Sequence, residues 1–245
     1  MTSVPKDLKE VSALERTDHT NLFWMIQDAG NENKLYGLNE HGSIEKTIEI
    51  EGIENNDWED LTADTFGNIF IGDFGNNSRN RKVFSIYKIA ASDLQKNSAK
   101  PIRTVFTLPK KMKSEDFEAF FIFNDHFYIF SKRNKKTTVI KVPNKPGKHK
   151  ASFVTSVKLK GKKTKITSAD ISSDHKTVIL LNHNRVWRLT DFDGDQFFEG
   201  KMTRHNFNYK SQKEGICFKN DTTLYISDER KKRKGGRVYL FNISN

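Results

Sequence analysis

The chain has 245 residues, enough for one large all-β or barrel-like domain or for two domains of ordinary size. Its 42 Lys and Arg against 31 Asp and Glu give a net charge of +11, which points to an anionic partner, and one cysteine excludes an internal disulfide framework or a Cys-rich zinc site. No membrane span is expected, because apolar stretches such as Leu22 to Ile26 and Phe127 to Phe130 run only four or five residues. The first ten residues carry Lys, Asp and Glu with no apolar h-region. The chain as written therefore reads as cytoplasmic, or as periplasmic or secreted if a signal peptide has been removed.

One short unit recurs along the chain: Glu10-Val11-Ser12-Ala13-Leu14, Asp57-Trp58-Glu59-Asp60-Leu61, Asp116-Phe117-Glu118-Ala119-Phe120, Lys165-Ile166-Thr167-Ser168-Ala169 and Gln212-Lys213-Glu214-Gly215-Ile216. Its central positions 12, 59, 118, 167 and 214 are separated by 47, 59, 49 and 47 residues, a spacing that fits propeller blades. In each copy an apolar run ending in a polar side chain follows: Trp24 to Asp28, Ile69 to Asp73, Tyr128 to Lys132, Ile179 to His183 and Tyr225 to Asp228. Third strands follow at Leu35 to Leu38, Val83 to Tyr87, Thr138 to Val142, Arg185 to Leu189 and Arg237 to Phe241. Four copies continue into an alternating fourth strand at Ile44 to Ile50, Ile102 to Leu108, Phe153 to Val157 and Lys201 to Phe207. The spacing predicts an all-β chain, a single five-bladed β-propeller with four-stranded antiparallel blades over residues 1–245. The blades run approximately 9–50, 57–108, 114–157, 165–207 and 212–245, with residues 2–8 supplying the missing outer strand of the fifth and closing the ring. Ala90 to Lys100 and Pro143 to Lys150 read as long surface loops.

Asn56-Asp57-Trp58-Glu59-Asp60, Ile71-Gly72-Asp73-Phe74-Gly75-Asn76-Asn77, Ser168-Ala169-Asp170-Ile171-Ser172 and Lys213-Glu214-Gly215-Ile216 resemble a group of uncharacterised bacterial propellers of the Bacteroidetes type. More distantly, they are similar to the SdiA-regulated five-bladed propeller family. The resemblance implies a five-bladed ring and a bacterial source, and no settled activity. The chain departs from that pattern at Ala13 and Ala119, where relatives often have Gly, and at Lys165, where an acid is frequent.

The start of a blade's innermost strand and the end of its second strand are neighbours, so the repeat gathers Ser12, Glu59, Glu118, Thr167 and Glu214 at one mouth of the central channel. Asp28, Asp73, Lys132, His183 and Asp228 should surround them, with Asp57, Asp60, Asp116 and Asp170 close by. Carboxylates this close raise one another's pKa unless a cation intervenes, and a carboxylate set without a histidine cluster suits Ca²⁺ ahead of Mg²⁺. Glu59, Glu118, Glu214 and Asp28 are the expected metal ligands, and Asp73, His183 and Asp228 the candidate catalytic groups. Lys132, Arg81 and Arg185 are the candidate substrate-binding residues. The alternative is that these acids cap strand ends, bond to backbone N–H groups of the next blade, or pair with Lys132 and Arg185.

Most loop lysines and arginines, including the run from Arg230 to Lys234, belong to the same face, so a basic rim should surround an acidic throat. Two functions compete. One is a metal-dependent hydrolase of an anionic ester, lactone or phosphoester. The other is a non-catalytic propeller, monomeric, holding an anionic small molecule, a polymer or a partner protein. Nucleic acid is not the expected partner, because the aromatic residues are committed to strands. Cys217 falls in an innermost strand and reads as a buried, inert thiol.

Overall fold

The computed structural model describes residues 2–231 and 234–244, so Lys232 and Arg233 of the basic run lie outside the described residues. Five antiparallel sheets are arranged as the blades of a propeller, and the only helical element among the described residues is a 3₁₀ turn at Ala91–Asp93. Blade two is built, from the axis outward, of Trp58–Ala63, Ile69–Asp73, Val83–Ile89 and Ile102–Thr107. Blade three has Phe117–Phe123, His126–Ser131, Lys136–Pro143 and Ser152–Lys158. Blade four has Ser168–Ile171, Val178–Asn182, Arg185–Thr190 and Lys201–Asn206. Blade five has Lys213–Asn220, Thr223–Asp228 and Arg237–Asn242, and its outer strand is Thr2–Ser3, with Thr2 opposite Val238 and Ser3 opposite Arg237. Arg230 reinforces that junction, donating to the Val4 carbonyl at 2.6 Å.

Blade one differs from the sequence expectation at its inner edge. Phe23–Met25, Lys34–Leu38 and Ile44–Ile50 form its sheet, but the segment from Glu10 to Leu14 makes no continuous strand. Val11 bridges Gln27 and Glu15 bridges Trp24, and the extra residue between those bridges interrupts the ladder. A second difference concerns the two segments read as surface loops. Ser98–Ala99 pairs in parallel with the outer strand of blade one, and Gly147–Lys150 with the outer strand of blade two. Each loop thus reaches back to cover the exposed edge of the preceding blade, which an isolated loop reading leaves unpaired.

Five apolar clusters explain why the second strands are hydrophobic on both faces. Trp24 and Trp58 anchor the cluster between blades one and two, and Phe70, Phe74, Phe84 and Phe120 the one between two and three. Phe121, Phe130, Leu180 and Trp187 join blades three and four, Leu181 and Ile226 join four and five, and Leu14, Met25 and Cys217 join five and one. Successive side chains of one strand enter different clusters: Ile69 and Ile71 face blade one while Phe70 faces blade three. The fifth interface, between the last blade and the first, closes the ring.

The axis carries a polar rivet. Asp60 is fully buried and accepts from Ser168 Oγ at 2.9 Å, from the Phe120 amide at 3.2 Å and from the Ala169 amide at 3.3 Å. One carboxyl therefore ties the inner strands of blades two, three and four. Ser168 Oγ in turn accepts from the Ile216 amide, and Asp170 from the Phe218 amide, which adds blade five. Asp60 and Asp170 thus bond within the channel walls between blades.

Candidate metal and substrate site at the channel mouth

Three of the five repeat positions, the glutamates, share one backbone device. Strand pairing slips by one residue between Trp58 and Asp60, between Phe117 and Ala119, and between Lys213 and Gly215. Glu59, Glu118 and Glu214 are the bulged residues, and the bulge turns each side chain out of the ladder towards the axis. All three line a pocket of about 140 Å³, which Ser12, Asp28 and Lys132 also line. Thr167 donates to the Lys213 carbonyl and lines the adjoining pocket instead.

The mouth holds two carboxyl pairs. Asp28 and Asp57 lie within hydrogen-bonding reach of each other, as do Glu59 and Glu118. Oxygens of Asp28, Asp57 and Glu59 lie within 4.8 Å of one another, and so do those of Glu59, Asp116 and Glu118. Burial, with Asp28 next to it, pushes the Asp57 carboxyl up to about 7. Burial pushes Glu118 up to about 8 against the opposing pull of Lys132. Burial and then Glu118 raise Glu59 well above the ordinary carboxylate range. Two carboxyl groups in contact must share a proton or a cation.

Several neighbours fix this geometry. Lys132 Nζ lies 2.6 Å from one Glu118 oxygen. Burial works against the ammonium of Lys132, but Glu118, Glu214 and Glu59 together hold its pKa above the ordinary value. The other Glu118 oxygen, Oε1, is buried and accepts no hydrogen bond among the described residues. Gly75 backs the cluster: a Cβ there would lie 2.1 Å from Glu59 Oε1 and 2.4 Å from the Asp57 carboxyl carbon. Asn76 donates its backbone amide to Asp116 Oδ1 at 2.9 Å and its side-chain amide to Ser114 Oγ and the Glu115 carbonyl. Gly75 and Asn76 were not picked out from the sequence as site residues, although both sit in the Gly-rich segment that follows Asp73.

The remaining expected site residues are distributed unevenly. His183 Nε2 lies 2.9 Å from Glu214 Oε1, and the half-exposed imidazole lines the two basic pockets beside the mouth. Asp73 is fully buried, with Oδ1 accepting from Arg81 at 2.7 Å and Oδ2 from Tyr87 and Asn56. Arg81 is equally committed, donating to the Gly75 and Val83 carbonyls and stacking over Phe84. Asp228 is buried and accepts from the Arg237 amide. Arg185 lies over the Trp187 ring and beneath Gly161, with its guanidinium directed at the Lys162 carbonyl. Of the expected metal ligands, Asp28, Glu59, Glu118 and Glu214 are brought together at the mouth, with Asp57 and Asp116 joining them.

Fold and site define a five-bladed β-propeller with an acidic channel mouth. No family model matches the sequence, and no curated protein matches it. Among solved structures, a chain in the crystal structure of a nidogen/laminin complex superposes with a TM-score of 0.55 over 96% of this chain and 77% of that one, at 10% identity. That likeness is one of fold. No helix among the described residues is long and apolar enough to cross a membrane.

Proposed function

We propose that the protein is a metal-dependent hydrolase of an anionic ester, lactone or phosphoester, with Ca²⁺, ahead of Mg²⁺, held at the channel mouth. The observation that supports this is the convergence of two carboxylate sets that share Glu59, Asp28 with Asp57 and Glu59, and Glu59 with Asp116 and Glu118, the oxygens of each set lying within 4.8 Å of one another. An all-carboxylate donor set suits a hard cation, and the space left by Gly75 keeps Asp57 and Glu59 together. Asp28, Asp57, Glu59, Asp116 and Glu118 are the residues that would hold it. The cation would polarise the substrate oxygen and acidify a water there.

His183 takes the proton of the attacking water, with the Glu214 carboxylate orienting its ring and stabilising the imidazolium that forms. Lys132 steadies Glu118 and presents positive charge to the incoming anion. Asp73, Arg81 and Arg185, whose side chains are engaged within the blades, and Asp228, buried with one oxygen accepting from the Arg237 amide, support the site and do not touch substrate in this reading. The kinship with Bacteroidetes-type propellers, and more distantly with the SdiA-regulated family, belongs to the same proposal and rests on the motifs around Asp57, Asp73, Asp170 and Glu214. A non-catalytic propeller that holds a polyanion or a protein, as the nidogen/laminin complex pairs two proteins, is the second reading. It is favoured by the counter-charge that Lys132 already supplies to Glu118.

A panel of carboxylate and phosphate esters assayed in chelator and in Ca²⁺ separates the two. The hydrolase reading expects turnover only with metal, with kcat falling at least about a hundredfold in His183→Ala. Calcium-independent turnover, or none on any ester, would overturn it.

A further inference from the structure

Between blades four and five a cavity of about 780 Å³ adjoins the acidic mouth, a size within the usual range of small-molecule sites. Lys163, Lys210, Lys231 and Lys234 line it, and Glu229 is the one acid among its lining residues, so the walls carry an excess of three positive charges. None of the four lysines has a carboxylate within 4.0 Å among the described residues, although Lys231 faces Glu229 across the cavity wall. Gln212 and Glu229 are hydrogen-bonded to each other and line both this cavity and the mouth, so the two spaces share one wall.

Both sides of the cavity are pinned by buried polar groups. Asn182 donates to the Lys163 carbonyl at 2.6 Å and holds that residue in the left-handed region, at φ 54°. Across the cavity, Lys213 takes the place that Val11, Trp58, Phe117 and Ile166 fill in the other blades, and it is fully buried. Its ammonium donates to the Tyr209 carbonyl at 2.8 Å and to Ser211 Oγ at 3.0 Å, under the Phe207 ring. A buried lysine in an apolar position is costly unless it does something the apolar residue cannot. Here it fixes the segment that carries Lys210, Ser211 and Gln212 into the cavity.

We propose that this cavity binds the multiply charged, phosphate-type end of a small-molecule substrate whose scissile bond reaches the mouth. The inference rests on the hydrolase reading for the word substrate, and on the cavity alone for the anion. A single carboxylate would leave most of the lysine charge unmatched, whereas a phosphate or diphosphate accepts from several ammonium groups at once. A diffuse basic surface would need no pinned walls.

Pyrophosphate titrated by calorimetry into chelator-treated protein at physiological ionic strength tests this without metal. Saturable one-to-one binding is expected. The double variant Lys163→Gln/Lys210→Gln should weaken it at least about tenfold, and Lys110→Gln/Lys111→Gln on another part of the rim by less than about twofold. No saturable binding, equal losses in the two double variants, or binding of heparin alone would overturn the proposal. A calcium titration of the same protein keeps the two readings apart. Lost pyrophosphate binding with calcium response intact removes the cavity site only, and the converse removes the metal site only.

Discussion

Glu118 concentrates the physics of the site in one side chain. One oxygen meets Lys132, the other is buried without a donor, and burial lifts the carboxyl to about 8. Between the ordinary carboxyl range and that value, the folded protein keeps a proton that the unfolded chain has released, so metal-free stability falls as pH rises through the window. Melting midpoints in chelator should therefore drop between about pH 5 and about pH 8, and the drop should be shallower in Glu118→Gln. An equal slope in the variant would assign the titration to other groups. Period arithmetic brought Glu59, Glu118 and Glu214 into register because a repeat places equivalent residues at equivalent points around an axis. The hydrogen-bond partners were not legible in the same way. That Asp73 is spent on Arg81, Tyr87 and Asn56 depends on which face of a strand end it leaves by, and the spacing of residues does not carry that.

At the scale of the element, bulges and bridges do what the strand pattern does not announce. Alternation locates the inner strands, but the one-residue slip at Glu59, Glu118 and Glu214 exists only once the partner strand is present. The parallel strands Ser98–Ala99 and Gly147–Lys150 read as loops in the sequence for a similar reason. Short polar segments such as Gly147–Lys150 have no periodicity of their own, and they pair because a neighbouring blade offers an open edge. Asp60 shows how strongly the elements depend on one another. Burial raises its carboxyl well above the ordinary range, and its partners lie on two other blades. Asp60→Ala leaves two buried amides without an acceptor and should cost about 2–5 kcal/mol, with Asp60→Asn costing less because an amide oxygen keeps part of the network. Urea unfolding of both variants measures this, and equal, sub-kilocalorie losses would show that the rivet is not structural.

For the molecule as a whole, ring closure and charge separation are linked. The five interblade clusters make a closed disc, and closure forces the starts of all inner strands to meet at one mouth. That much follows from the repeat, as does the two-sided hydrophobicity of the second strands. Where the basic rim gathers does not, because Lys163 and Lys210 come together only when blade four meets blade five. On the proposed function, the crowded acids at the mouth hold a divalent cation and not merely shared protons. Melting curves of the wild type and of Glu118→Gln, each in chelator and in millimolar Ca²⁺, test it most directly. The wild-type midpoint should rise on adding Ca²⁺ and the variant's should rise less, while in chelator above about pH 8, where Glu118 has lost its proton, the variant is at least as stable because one buried carboxylate has been neutralised. A wild-type midpoint that does not move when Ca²⁺ is added would contradict the claim, whatever the variant does.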